Sequence, residues 1–226
     1  TSSNCNWRIG DTGPAGGIIF YISPTNSDDE TTYLECSRYD IGVGKEWGCL
    51  GDVIGQTFPD ILMGQVNTDI ILASCADPAT AAELCDSHSN VHDGRTFDDW
   101  YLPSKEEMET IYFHLHAQGM GQFAGGYYWT STENTVTSWA SPSGTSTSML
   151  PTGANPADYA WSIDFYSATS NFVQAVPNMK SISSLNVRAV RQFTCGGTIT
   201  GTTSSFGTGG LVQTSSPPTT WVGTPP

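Results

Sequence analysis

Two spacings of apolar residues divide the chain into predicted strands and helices. Apolar and β-branched runs bounded by turn formers fall at Gly17 to Ile22, Thr32 to Glu35, Tyr127 to Ser131, Tyr159 to Phe165, Phe172 to Val176 and Asn186 to Phe193, and they read as strands. Helical spacing takes over after Ser104-Lys105-Glu106-Glu107, a capping box followed by Met108, Ile111, Tyr112 and Leu115 on one face, with Gly119 as the stop. Asp77-Pro78 reads as an N-cap with a first-turn proline opening a short helix through Ala81, Ala82 and Cys85. Another helical turn runs from Asn67 toward Ser74. The pattern predicts an α+β fold with two or three helices near the middle and a mostly antiparallel sheet.

Charge divides the same 226 residues differently. The chain carries 22 acidic and 8 basic side chains, a net charge of −14, and its pI is about 4.3. Such a chain repels a phosphate backbone, which excludes nucleic-acid binding through a basic face. Residues 1 to 109 hold 19 of the acids and 5 of the bases, so the later part is neutral. Asn134 to Ala157 has no charge and reads as a long exposed loop around Trp139. Gly196 to Pro226 lacks Asp, Glu, Lys, Arg, His and Cys, yet contains apolar pairs, Leu211-Val212 and Trp221-Val222. We therefore divide the chain into a domain at 1–195 and an uncharged, strand-capable Gly/Ser/Thr/Pro-rich arm at 196–226. No run of apolar residues is long enough to span a membrane.

The six cysteines, Cys5, Cys36, Cys49, Cys75, Cys85 and Cys195, include no C-x-x-C pair, which disfavours zinc and thioredoxin-like centres. An even count beside only three lysines reads as three disulfides in a secreted chain. Of fifteen possible pairings, the expected one joins Cys36 to Cys49, Cys75 to Cys85 and Cys5 to Cys195. The alternative is six buried free thiols in a cytosolic protein. An opening at Thr1 fits a processed, mature chain.

The common catalytic signatures are missing. His88, His92 and Asp93 could share a metal in one loop, and Asp98-Asp99 could do acid–base work or bind calcium. Both groups read more simply as solvated or capping residues. The aromatic residues Tyr127, Tyr128, Trp129, Trp139, Trp161, Phe165, Tyr166 and Phe172 crowd the neutral part. Trp129 and Trp161 are expected in the core and Trp139 at the surface, where a ring beside Ser and Thr suits sugar or protein recognition.

Several landmarks follow one another along the chain: Ile9-Gly10-Asp11-Thr12-Gly13-Pro14-Ala15-Gly16-Gly17-Ile18-Ile19-Phe20-Tyr21, Tyr33-Leu34-Glu35-Cys36, Trp47-Gly48-Cys49, Asn67-Thr68, the Ala81-Ala82 to Cys85 stretch, Asp99-Trp100-Tyr101-Leu102-Pro103-Ser104-Lys105-Glu106-Glu107, Tyr128-Trp129-Thr130-Ser131-Thr132-Glu133 and Val187-Arg188-Ala189-Val190-Arg191. With them the chain resembles the Lcl C-terminal-type domain over about residues 7 to 193. The resemblance implies a C-type-lectin-like fold, of the kind shared with formylglycine-generating enzymes, stapled by disulfides. It also implies ligand contacts on the loops Glu133 to Asp158 and Ser167 to Ser184, and no general enzymatic activity. The candidate ligand-binding residues are then Trp139, Glu133, Asp158, Tyr166 and Asn171. The E-P-N and W-N-D motifs of calcium-dependent animal lectins are missing.

The expected function is a secreted, non-enzymatic surface protein, adhesive or structural. It would self-associate into a homo-oligomer or filament through Leu211, Val212, Trp221 and Val222 of the arm. The alternative is a tip module binding glycans or cell-surface proteins; a metal-dependent enzyme is a third reading. The expected place is extracellular or at the cell surface, with no cofactor, calcium being the one ion the carboxylates suit.

Overall fold

In the computed structural model, which describes residues 6–23, 31–140, 147–166 and 173–194, two sheets share a core with one helix. The chain runs β1 (Ile18–Ile22), β2 (Thr32–Cys36), β3 (Gly42–Val43), α1 (Gly64–Ser74), α2 (Ala81–Asp86), β4 (Asn90–His92), β5 (Arg95–Phe97) and α3 (Lys105–His114). It continues with β6 (Tyr127–Glu133), β7 (Ser138–Ala140), β8 (Thr147–Met149), β9 (Tyr159–Asp164), β10 (Gln174–Met179), β11 (Asn186–Val187) and β12 (Val190–Thr194). The α+β class and the mostly antiparallel pairing follow the spacing of the sequence.

A three-stranded sheet in the order β1-β2-β12 joins an early hairpin to the last described strand, with Val190 opposite Cys36 and Arg191 opposite Glu35. The larger sheet has the order β10-β9-β6-β11-β3, antiparallel except where Asn186 of β11 pairs parallel with Tyr128 of β6. The run Asn186 to Phe193, expected as one strand, is two. Residues 186–187 pair with β6 and β3, and the chain then crosses at Arg188-Ala189 to pair with β2.

Period-2 alternation explains the two larger of the three buried clusters. Tyr128 faces a cluster with Phe20, Leu34, Met108, Ile111, Tyr112 and Ile163, so α3 is packed between both sheets. Its neighbour Trp129 faces the opposite way, into a cluster with Trp47, Ile71, Trp100 and Leu102 that α1 and α2 cover.

The capping box closes as the sequence predicts: Ser104 Oγ accepts from the Glu107 amide at 3.2 Å, and Glu107 Oε2 accepts from the Ser104 amide at 2.8 Å. Gly119, in left-handed backbone at φ +72°, ends the 3-10 turn after α3. The expected start of α2 is corrected. Ala79 lies in the left-handed region at φ +59°, so Thr80 caps the helix. Asp77 instead accepts from the Cys49 amide at 2.6 Å. The charge-free segment also departs from a plain loop, because β7 and β8 pair as a hairpin with Trp139 opposite Ser148.

The cysteine pairing is corrected too. Cys49 bonds Cys75, with Cα atoms 5.6 Å apart, while Cys36 and Cys85 are free and buried. Cys36 lies on β2 in one core and Cys85 on α2 in the other, so neither forms the bridge expected of it. Burial pushes the Cys36 thiol up to about 11 and Cys85 well above the ordinary range, so both remain protonated. Cys5 and Cys195, like Asn171 and the arm residues Leu211, Val212, Trp221 and Val222, lie outside the described residues.

Candidate recognition surface

The buried ion pairs decide which charged groups are free to meet a ligand. Lys180, 0% exposed, reaches Glu133 Oε1 at 2.5 Å and the Asp52 carbonyl at 2.9 Å, and its ammonium lies 4.7 Å from the centre of the Trp47 ring. Glu133 also accepts from the amides of Ile54 and Gly55 at 2.9 and 2.8 Å. This expected ligand residue therefore pins the segment before α1 to the end of β6. Arg188, fully buried, donates to Asp40, whose carboxylate also accepts from the Tyr128 hydroxyl. Arg191 takes Asp99 in a two-pronged pair at 2.6 Å and Glu35 at 2.7 Å, while Glu35 accepts from the amides of Ala15 and Gly17.

Glu107 is a buried carboxyl that the fold shifts strongly upward. Burial raises it from the ordinary 4.5 to about 7, against hydrogen bonds from the Ser104, Gly64 and Leu62 amides and the Tyr101 side chain. Gly64 leaves no room for a side chain, since a Cβ there would collide with Glu107 and Tyr101. The glycine thus lets the first turn of α1 approach the capping box of α3.

The residues suggested for acid–base or metal chemistry do not assemble. Asp99 is held by Arg191, His92 Nε2 is 3.8 Å from Asp93, and His88 lies edge-on to Trp100. Among the described residues, the group of three possible metal ligands that converges is Cys49, Cys75 and Asp77, and its two sulfurs are joined to each other.

The aromatic residues form two separate surfaces. Trp139 on β7 meets Trp161 on β9 edge-to-face, with ring centres 6.1 Å apart and planes at 84°. Both rings are half-buried, so Trp161 is not the core residue the alternation predicts, whereas Trp129 is fully buried. Lys105, the first residue of α3, extends over the Trp161 ring at 5.6 Å while bridging to Glu109 at 2.7 Å. The hairpin and one lysine only partly cover the ring. What remains is a ledge of two indoles bordered by Lys105, with Ser148 opposite Trp139 on β8.

Tyr166, 70% exposed, packs edge-on against Tyr127 with ring centres 5.6 Å apart. Tyr127 stands opposite Asp164, and Asp164 and Trp161 alternate to opposite faces of β9. The tyrosine pair is therefore on the other face of the sheet from the tryptophan ledge. Asp158 is half-buried at the end of a 3-10 turn, and its carbonyl accepts from the Lys180 amide at 2.9 Å. Of the five expected ligand residues, Trp139 is on the ledge, Tyr166 is across the sheet, Glu133 and Asp158 adjoin Lys180, and Asn171 is not described. Lys105 and Trp161 were missed as surface contacts. The first sits in a helix-capping motif and the second in an alternating strand, and neither local pattern reports what the opposite element covers. No family model, curated protein or solved structure matches the chain.

Proposed function

We propose that the chain is a non-enzymatic module of an extracellular surface that adheres by holding an uncharged glycan against the Trp139–Trp161 ledge. The half-exposed, edge-to-face indole pair carries this reading. A sugar ring stacks its C–H face on such a ring while nearby hydroxyl, ammonium and carboxylate groups take its hydroxyls. With a net charge of −14, the chain favours neutral over acidic saccharides at long range. The Cys49–Cys75 bridge supports an oxidising compartment, and the joining of β1, β2 and β12 in one sheet supports a C-type-lectin-like arrangement. A glycan array probed with the whole chain should give hits among neutral saccharides, and W139A should lose them while staying folded, its thermal midpoint lowered only by the loss of one half-buried ring contact. An array with no hits sinks the reading.

Self-association is the second half of the proposal. The arm at 196–226 is free of charge and strand-capable, so burying it against another copy avoids most charge desolvation. It follows directly on β12, which is an edge of its sheet.

A further inference from the structure

A cleft of about 350 Å³ opens beside the small sheet, lined by Gly16, Arg38, Tyr39, Asp40, His88 and Trp100 among others, and it shares no residue with the tryptophan ledge. Its volume is at the lower end of the range for small-molecule sites. Arg38 distinguishes it. In a chain with 22 acids against 8 bases, Lys105, Lys180, Arg188 and Arg191 each hold a carboxylate. Arg38, like Arg8, Lys45 and Arg95, has none within ion-pair distance among the described residues, and of these four it is the one that lines the cleft. It is nevertheless held in place, donating through Nε to the Gly16 carbonyl at 3.4 Å and through an Nη to Thr12 Oγ1 at 2.9 Å.

The other lining groups define what Arg38 could hold. Asp40 faces the cleft, but Arg188 neutralises it at 2.6 Å, so it neither cancels Arg38 nor adds a free charge. Asn90 is occupied on both sides, donating to the Ala15 carbonyl and accepting from the Trp100 indole. Tyr39, 60% exposed, and the half-buried His88 ring against Trp100 supply flat, mostly apolar walls. The cleft thus offers one uncompensated guanidinium between aromatic walls.

We infer that this cleft binds a small organic monocarboxylate with a flat body, its carboxylate on Arg38 and its body between Tyr39 and His88. One guanidinium balances one negative charge, whereas a phosphate dianion in so acidic a chain would require a second cation that the lining lacks.

The test uses the whole chain and benzoate as probe, followed by NMR at the Trp100 indole N–H and by calorimetry. Benzoate should shift that signal saturably. Benzamide, its neutral counterpart, and the R38Q variant with benzoate should each bind about ten-fold more weakly, the usual loss when a charged hydrogen bond becomes neutral. Arg38 is exposed, so R38Q should keep the wild-type thermal midpoint, and W139A should bind benzoate as the wild type does. A missing Trp100 response, equal binding of benzamide, or unchanged binding by R38Q overturns the site. Tighter binding of phenyl phosphate than benzoate overturns the carboxylate assignment.

Discussion

Lys180 and Glu133 are 47 residues apart in the chain and 2.5 Å apart in space, both withdrawn from water. A buried pair of this kind contributes little net stability against an apolar pair, but breaking it leaves one charge stranded. E133Q should therefore cost about 3–5 kcal/mol, read as a lower urea midpoint at constant m-value. The double variant E133L/K180M should recover only the part due to the stranded charge, because the Ile54 and Gly55 amides still lose their acceptor. Glu107 gives a pH signature. Its folded pKa is raised from the ordinary 4.5 to about 7, so the native state binds more protons than the unfolded chain between those values. Its contribution is fully present below about pH 4.5 and is lost as pH rises through about 7. E107Q, which cannot titrate, should be less stable than the wild type at pH 5 by a margin that shrinks at pH 8, measured by urea unfolding at both pH values. The capping role of Glu107 is legible in four consecutive letters, Ser104 to Glu107. The partner of Glu133 is not, because a contact across 47 residues leaves no local spacing to read.

The elements show the same division. The helix α3 and its stop at Gly119 are legible, because capping geometry and the i, i+3, i+4 spacing both lie within one turn of chain. The Cys49–Cys75 bridge is not, since it depends on how the chain turns through Gly48 and Cys49, both in left-handed backbone at φ +95° and +55°. Trp161 is misread for a related reason. Alternation places it on the α3 face of the sheet, but only the packing shows that α3 begins beside it and covers it with a lysine rather than an apolar side chain. Closing a loop across 26 residues should stabilise the fold by about 3 kcal/mol through the unfolded chain. The C49S/C75S double variant should lower the thermal midpoint accordingly. Mass mapping after alkylation should find Cys36 and Cys85 unmodified in the native protein and modified after denaturation, given their burial.

For the whole molecule, the asymmetry of charge gives each region a different task. The acidic part carries five of the eight cations, of which Lys105 is in an ion pair. Lys180, Arg188 and Arg191 of the later part pair with Glu133, Asp40, Glu35 and Asp99 and tie distant parts of the chain together. The neutral part presents the tryptophan ledge, and the charge-free arm follows the last described strand. Deleting residues 196–226 should leave a folded monomer that no longer assembles, as seen by negative-stain imaging and light scattering; assemblies unchanged by the deletion would remove the arm from the account. The proposal at the centre is recognition by the two indoles. Its most direct measurement is calorimetric titration of the strongest neutral saccharide from the array into wild-type protein, W139A and W161A. Saturable binding by the wild type is expected, with loss of at least about 1 kcal/mol of binding free energy in each variant, both of which should remain cooperatively folded. Equal affinity in all three proteins, or no binding by the wild type, would contradict it.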